Sequence, residues 1–424
     1  MSIRESSRVL RSRNLGSAAS KPSLVLGVLI SLILAVGGCA RGGRQGGSGD
    51  VPTGTGPATD DQSPETLAEG QRVFRFETFG NEAHWTEKAW MHEVVQKSVS
   101  PTAAIRAGLK VDAGAIPADL AEAIKGGKVD LGSPATTVTL LKLNAVVGLQ
   151  GTVKMVDGKD RLVRLGITCA LCHSTVDNSF SHGIGQRKDG WPNRDLNVGA
   201  IIAESPAIPP EKKAVYYSWG PGKYDPRFNI DGKSTPLMIP PAYGLAQVKN
   251  ATYTGEGPIS YWNAYVAVTQ MHGQGEFSDP RMGLDIHHSP DLVGPKLAAL
   301  RSYQHSLETP RPPPGSVDVE AAGRGGAVFN DRCAGCHTGA TGTDNNSGAL
   351  HEPSETGMDP GYAMRTVNKK YRTTPLRALW QHPPYFHDGS AQTLADVVEH
   401  YDRVRELRLT DEQKSDLVEY LKTL

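Results

Sequence analysis

Charge of one sign, long apolar runs, aromatic side chains and cysteine are all scarce in this chain, and each shortage excludes something. Lysine and arginine total 45 against 45 aspartates and glutamates, so no net positive field marks a binder of nucleic acid. The longest apolar run, Leu24–Val36, covers 13 residues, short of the ~20 that a bilayer-crossing helix needs. Aromatic residues make up only 6%, whereas there are 47 glycines and 29 prolines. That is the profile of a loop-rich protein with few large aromatic side chains to fill its core. At 424 residues there is room for two or three domains.

Four of the five cysteines lie in one motif that occurs twice: Cys169-Ala170-Leu171-Cys172-His173 and Cys333-Ala334-Gly335-Cys336-His337. Each reads as a c-type haem attachment site. Two thiols three positions apart reach the vinyl groups of one porphyrin, and the next residue, His, comes under the iron as proximal ligand. A zinc ribbon would need its cysteine pairs about 15–20 residues apart, but Cys333 follows Cys172 by 161 positions. A thioredoxin-like dithiol would need a βαβ context, and none is legible around either pair. Two covalent haems are therefore expected.

Residues 1–38 read as an export leader. Arg4, Arg8, Arg11, Arg13 and Lys21 form its basic start, and Leu24–Val36 suits a secretory apolar region. Val36-Gly37-Gly38-Cys39 resembles a bacterial lipoprotein box, which implies cleavage before Cys39 and lipidation of its thiol. Lipid and haem would then consume every thiol, leaving none for a disulfide. A mature chain starting at Cys39 carries 40 basic and 44 acidic residues. Ala40 after the lipidated Cys favours the outer membrane, by analogy with such lipoproteins.

Residues 39–64 are rich in Gly, Ser, Thr and Pro and read as a flexible tether. A short helix is expected over 65–79, and His84, Trp85, Trp90, Met91 and His92 cluster behind it. Helices are expected over 117–127 and 134–143, with Pro117 and Pro134 near their starts. Val146–Met155 and Arg161–Gly166 read as a strand pair turning at Asp157-Gly158. The Gly-rich loop His182–Asn193 should wrap a porphyrin edge. Within it, Trp191 is a candidate either for a ring between redox centres or for a shield at one haem edge. Asn193–Ile202 is expected to open a helix, residues 216–290 show no clear period, and a helix is expected from Pro290 to His305. Pro310-Arg311-Pro312-Pro313-Pro314 is a stiff spacer and the best domain boundary. Helices follow over Val317–Phe329, with Gly325 and Gly326 before Phe329, and over Leu409–Leu424. Thr410 and Gln413 make a capping box for the latter, and Leu417, Val418, Leu421 and Leu424 its apolar face.

The stretch Thr373–Ser390, including Trp380-Gln381-His382-Pro383-Pro384-Tyr385-Phe386-His387-Asp388-Gly389, is followed by Thr393-Leu394-Ala395-Asp396-Val397-Val398-Glu399-His400-Tyr401. Across residues 316–424 it resembles the C-terminal haem domain of bacterial di-haem cytochrome c peroxidases. The same superfamily includes the di-haem enzyme that matures a tryptophan-derived quinone cofactor, and the rubber oxygenases. The resemblance implies that Arg377 pairs with a haem propionate. It also implies a sixth iron ligand at Tyr401, where the peroxidases have Met and the quinone-maturing enzyme is similar in having Tyr. A Tyr oxygen would lower the haem potential, whereas Met raises it; His400 is the alternative. The N-terminal half departs from the peroxidases and lacks the segment that supplies their distal His. Its haem could draw a sixth ligand from His84, His92, His182, Met238, Met271 or His272, or stay open. Related peroxidases hold calcium between their domains, and the sequence leaves that undecided here.

The fold class that follows is mainly α, with two cytochrome c-like haem domains. The first (65–308) is enlarged by a loop-rich insertion; the second spans 316–424, and 309–315 link them. The expected function is a lipid-anchored di-haem cytochrome of the cell envelope, facing the periplasm. It would exchange electrons with a small cytochrome or cupredoxin and act as a peroxidase-like oxidoreductase. The alternatives are a pure electron carrier, or a haem-bearing scaffold or sensor.

Overall fold

In the computed structural model, residues 60–424 are described. The expected leader, Cys39 and most of the tether lie outside them. No helix among the described residues is long and apolar enough to cross a membrane.

The fold is mostly helical, and one packing device organises both of its ends. The helix Pro64–Phe76 is capped by the Ser63 hydroxyl, which accepts from the Thr66 N–H, and Pro64 occupies its first position. It crosses Leu297–Ser306 at Gly70, where a Cβ would lie 2.1 Å from the Ala299 carbonyl oxygen. Phe74 and Tyr303 close that contact, ring centroids 5.6 Å apart. At the other end Val319–Arg332 crosses Asp411–Thr423. There a Cβ at Gly325 would lie 2.0 Å from the Asp416 carbonyl oxygen, and Phe329 meets Tyr420 at 5.1 Å. Each pair brackets one Cys-x-x-Cys-His: the early helix precedes it and the late helix closes behind. Only glycine permits so close a backbone approach.

The expected capping box at Thr410 and Gln413 is present, and a second one, Thr393 with Asp396, starts Leu394–Val404. The strand pair is present as Leu149–Val156 and Lys159–Ile167, antiparallel, with Val156 opposite Lys159. Asp157 and Gly158 both take positive φ at its turn (50° and 72°), as a two-residue hairpin requires. Expected helices appear at Ala118–Lys125, Pro134–Lys142 and Val198–Ala203. One boundary is corrected. The helix placed from Pro290 begins at Leu297, after a 3₁₀ turn at Gly294–Lys296, because Pro290 and Pro295 suit turns rather than a helix interior.

The stretch without a legible period, 216–290, folds into small pieces. They include Ile259–Tyr265 running into a π turn at Val266–Gln270, and the strand pairs Lys223–Tyr224 with Leu237–Met238 and Phe277–Asp279 with Leu284–Ile286. Among the described residues three larger apolar clusters and a small fourth one, Ala242, Leu245 and Ile259, hold the chain together. Two of the larger ones lie in the N-terminal part, around Leu141 and around Phe74, and the third surrounds Phe329 and Leu417. Residues on either side of the proline-rich spacer are tied by Arg365, which pairs with Asp225 (2.7 Å) and Asp231 (2.8 Å).

Replacing Gly325 by Ala drives a methyl into the Asp416 carbonyl. A loss of about 1–3 kcal/mol is expected in denaturant unfolding followed by far-ultraviolet circular dichroism. Arg324→Ala, which removes an exposed arm of the bidentate pair with Asp416, should cost less. Equal losses would put the crossing's stability in the ion pair instead.

Candidate haem sites

The first motif sits at the end of the hairpin. Asn81, fully buried, pins that end: its amide donates to the Ile167 carbonyl (2.8 Å) and its oxygen accepts the Ile167 N–H (3.0 Å). Cys169 then stands immediately before the short helical turn Ala170–His173. The following loop folds back on it. The Gly190 N–H donates to the His173 carbonyl (2.8 Å) and the Asn193 N–H to the Cys172 carbonyl (2.9 Å). The loop thus folds back onto the attachment turn.

A cavity of about 470 Å³ opens against Cys169, Cys172 and His173, with walls that are chiefly apolar, among them Leu149, Val198 and Trp262. The His173 Nδ1 lies 3.1 Å from the Pro240 carbonyl. A carbonyl can only accept, so Nδ1 carries the proton and the Nε2 lone pair is left for a metal. Burial pushes the imidazole down to about 4 against the raising effect of that hydrogen bond, which keeps it neutral, the ligating form. Burial also raises both thiols, Cys169 and Cys172, to about 12. A redox dithiol needs the opposite shift. All four described cysteines are unpaired.

The second motif repeats the proximal arrangement. His337 Nδ1 lies 2.9 Å from the Gly342 carbonyl, and its burial lowers the imidazole. Cys333 rises to about 11 for the same reason. Tyr401, on the helix Leu394–Val404, is raised to about 12 by burial and then by the neighbouring Cys333 and Cys336 thiols. Its side chain therefore shares that site. His400 is turned elsewhere, its Nε2 2.8 Å from the Thr356 carbonyl.

Around these sites three arginines, Arg372 buried and Arg194 and Arg377 half-buried, have no carboxylate partner among the described residues. Arg377 makes only a long contact to the Tyr243 carbonyl, 3.5 Å, and burial lowers it to about 10. Arg372 reaches the Thr252 and Ala251 carbonyls but leaves Nη1 unpaired; burial and the nearby Arg377 charge bring it to about 9. Arg194 donates to the His382 carbonyl (3.0 Å) and leaves Nε and Nη1 unpaired. An uncompensated buried charge costs several kcal/mol, on the order of 3–5, so these guanidiniums call for anions that the chain does not supply. Haem propionates are such anions. The apolar cavity, the free Nε2 atoms and the unpaired guanidiniums all fit a covalently held haem. Sequence reading found Arg377 but missed Arg194 and Arg372, whose isolation from carboxylates is a property of the fold.

Of the six sixth-ligand candidates, Met238 and Met271 line the cavity, and His84, His92, His182 and His272 do not. Trp191 meets Trp380 edge to face, centroids 5.9 Å apart, and Trp380 donates to the Pro310 carbonyl (3.3 Å). The two indoles thus join the N-terminal loop to the C-terminal segment.

Residues 322–424 match the cytochrome c family. This segment is a cytochrome c domain. Over part of its length the chain is similar to known proteins. It is 26% identical over 186 residues to hydrazine synthase subunit gamma of Kuenenia stuttgartiensis, covering 42% of this chain and 47% of that protein. It is 29% identical over 123 residues to the methylamine utilization protein MauG of Methylophilus methylotrophus, covering 25% of this chain and 37% of that protein. The chain thus spans less than half the length of these relatives. Among solved structures, hydrazine synthase of Kuenenia stuttgartiensis aligns at 20% identity, TM-score 0.32, over 45% of this chain and 73% of that one. A MauG-like protein associated with microbial copper homeostasis aligns at 18% and 0.33, over 45% and 74%.

If Arg372 neutralises a propionate, Arg372→Gln should lower the midpoint potential of one haem, because a cation nearby favours the reduced iron. Spectroelectrochemical titration reads this, and mass spectrometry should show covalent attachment intact. Unchanged potentials at both haems would place the guanidinium outside the cofactor's field.

Proposed function

We propose that the protein is a lipid-anchored di-haem c-type cytochrome of the cell envelope, which relays electrons and acts as a peroxidase-like oxidoreductase. The observation that carries this reading is the apolar cavity at Cys169, Cys172 and His173, in a chain whose second Cys-x-x-Cys-His lies in a cytochrome c domain. Two helix pairs of similar design, one around each motif, support two haem domains. Bound haem would supply reversible one-electron chemistry and, where a coordination position is open, activation of a small oxidant.

The chain's own residues divide the work. His173 and His337 present Nε2, each held in tautomer by a backbone carbonyl. Tyr401 would offer a phenol oxygen at the C-terminal site, and such a ligand would give a haem held there a low potential suited to storing oxidising equivalents. At the N-terminal site the cavity wall is chiefly apolar. It carries Tyr224, whose hydroxyl donates to the Gln270 side-chain oxygen (2.7 Å), and Gln270 in turn donates to Asn229 (3.1 Å) and Thr269 (2.8 Å). These linked groups can orient a small polar oxidant. The Trp191–Trp380 contact supplies aromatic rings between the two halves for electron passage. A small cytochrome or cupredoxin would deliver or remove electrons, and lipid on Cys39 would hold the protein at the periplasmic face of a membrane.

One observation favours the pure electron carrier. Met238 and Met271 both reach the cavity wall, and a thioether on the iron would close the position an oxidant needs.

Electron paramagnetic resonance of the resting, fully loaded protein separates the two. The oxidoreductase requires a high-spin component from the N-terminal haem; a spectrum of low-spin signals alone would eliminate it. Tyr401→Phe should shift the remaining low-spin signal, and an unaltered spectrum would remove Tyr401 as ligand.

A further inference from the structure

One residue of the first helix grips both ends of the first attachment motif. The Thr168 hydroxyl, just before Cys169, donates to the Arg75 carbonyl (3.0 Å). The Arg75 guanidinium donates through Nε to Asp189 Oδ2 (2.5 Å). Asp189 Oδ1 in turn accepts from the hydroxyl of Ser174 (2.8 Å), the residue just after His173. A third donor, the Tyr303 hydroxyl, reaches Oδ2 (2.6 Å) and itself accepts from the Gln71 amide (3.3 Å). Arg75 and Tyr303 belong to the two helices that cross at Gly70, so the crossing and the motif share one carboxylate.

The backbone fixes the same arrangement. Ser174 stands opposite Asp189 in the short antiparallel pair Ser174–Val176 with Arg187–Asp189, and Thr168 and Ser174 are both buried. The Asp189 side chain is only 3% exposed. A carboxylate is tolerated there because three donors, one of them charged, replace its water. Arg187, equally hidden, pairs with Asp112 (3.0 Å) and also feels the Asp189 charge. Two guanidiniums and two carboxylates thus cancel behind the attachment turn. Neutralising Asp189 would leave a net positive charge in a low-dielectric setting, where its field reaches further than in water.

An ion pair that merely joined two helices would have no need to touch the motif, and this one holds it at both ends. The second motif is built without such a clamp. Thr338, after His337, donates to the Thr343 carbonyl (3.3 Å), and Arg332, before Cys333, pairs with Asp331 at the surface.

We propose that Asp189 is a positioning residue of the first haem site: through Ser174 and Arg75 it holds the turn that presents His173, and its charge keeps that haem's potential low. This rests on the reading that the first motif carries haem, which mass spectrometry of the wild-type chain tests separately. The test of Asp189 itself is spectroelectrochemical titration of the haem-loaded protein. Asp189→Asn keeps the size and one acceptor but loses the charge, so the midpoint potential of one haem should rise while the other stays in place. Asp279→Asn is the control. That carboxylate is just as buried and is also held by an arginine and a tyrosine, but it bonds to neither motif. Its loss should lower the denaturant midpoint and leave both potentials unchanged. Should Asp189→Asn fail to load haem, Tyr303→Phe takes its place; it keeps the ring at the crossing, strips one donor from the carboxylate and should lower the same potential. Haem attached but both potentials unmoved in the variant read, or an equal shift in Asp279→Asn, would overturn the role of Asp189. A wild-type chain without haem on the first motif would remove the reading beneath it as well.

Discussion

An apolar hollow at the centre of a folded chain is a constraint on everything around it. The residues around Cys169, Cys172 and His173 give up the dispersion contacts that a filled core would provide. They do so with walls too apolar to be satisfied by water. A flat apolar body attached through two thioethers would restore those contacts, and its carboxylates would answer the unpaired guanidiniums of Arg194, Arg372 and Arg377. The loop-rich stretch 216–290 is intelligible on the same terms. Its short pieces, Leu237–Met238 and Ile259–Gln270, have little to pack against except one another and whatever fills the cavity.

The glycine-gated helix crossing recurs on each side of the proline-rich spacer with different partners. At Gly70 the contact is sealed by Phe74 and Tyr303; at Gly325 by Phe329, Tyr420 and the Arg324–Asp416 pair. In each half the early helix leads toward an attachment motif and the late helix closes behind it. The N-terminal copy encloses about 220 residues between its helices and the C-terminal copy about 80. The difference is the room in which the first cavity is built. Proximity of Arg372, from the C-terminal half, to the Thr252 carbonyl on the cavity wall makes the two halves parts of one electrostatic system.

Local signals carried well wherever the chemistry is local. The strand pair at Asp157-Gly158, the Thr410 capping box and the Gly325 crossing each depend on residues close in sequence or on a single small side chain. All three are present, the crossing completed by the helix at 411–423. The helix placed at Pro290 began late because prolines outweighed the apolar pattern. The stretch 216–290 could not be read because its order comes from contacts across the cavity, which leave no period in the sequence. The six candidates for a sixth ligand illustrate the limit. Composition cannot distinguish Met271, which faces the cavity, from His272 beside it, which faces out, since a turn of the backbone decides it.

By itself the amino-acid sequence determined where two thiols and an imidazole stand together twice, and that the second set lies in a C-terminal segment matching the cytochrome c family. These follow from covalent spacing, which no folding can alter. Only the tertiary structure decided which arginines are stripped of partners, which nitrogen of each proximal histidine stays free, and which carboxylate joins the first motif to the helix crossing. Those depend on groups far apart in the chain being desolvated together, and desolvation is a property of packing rather than of order.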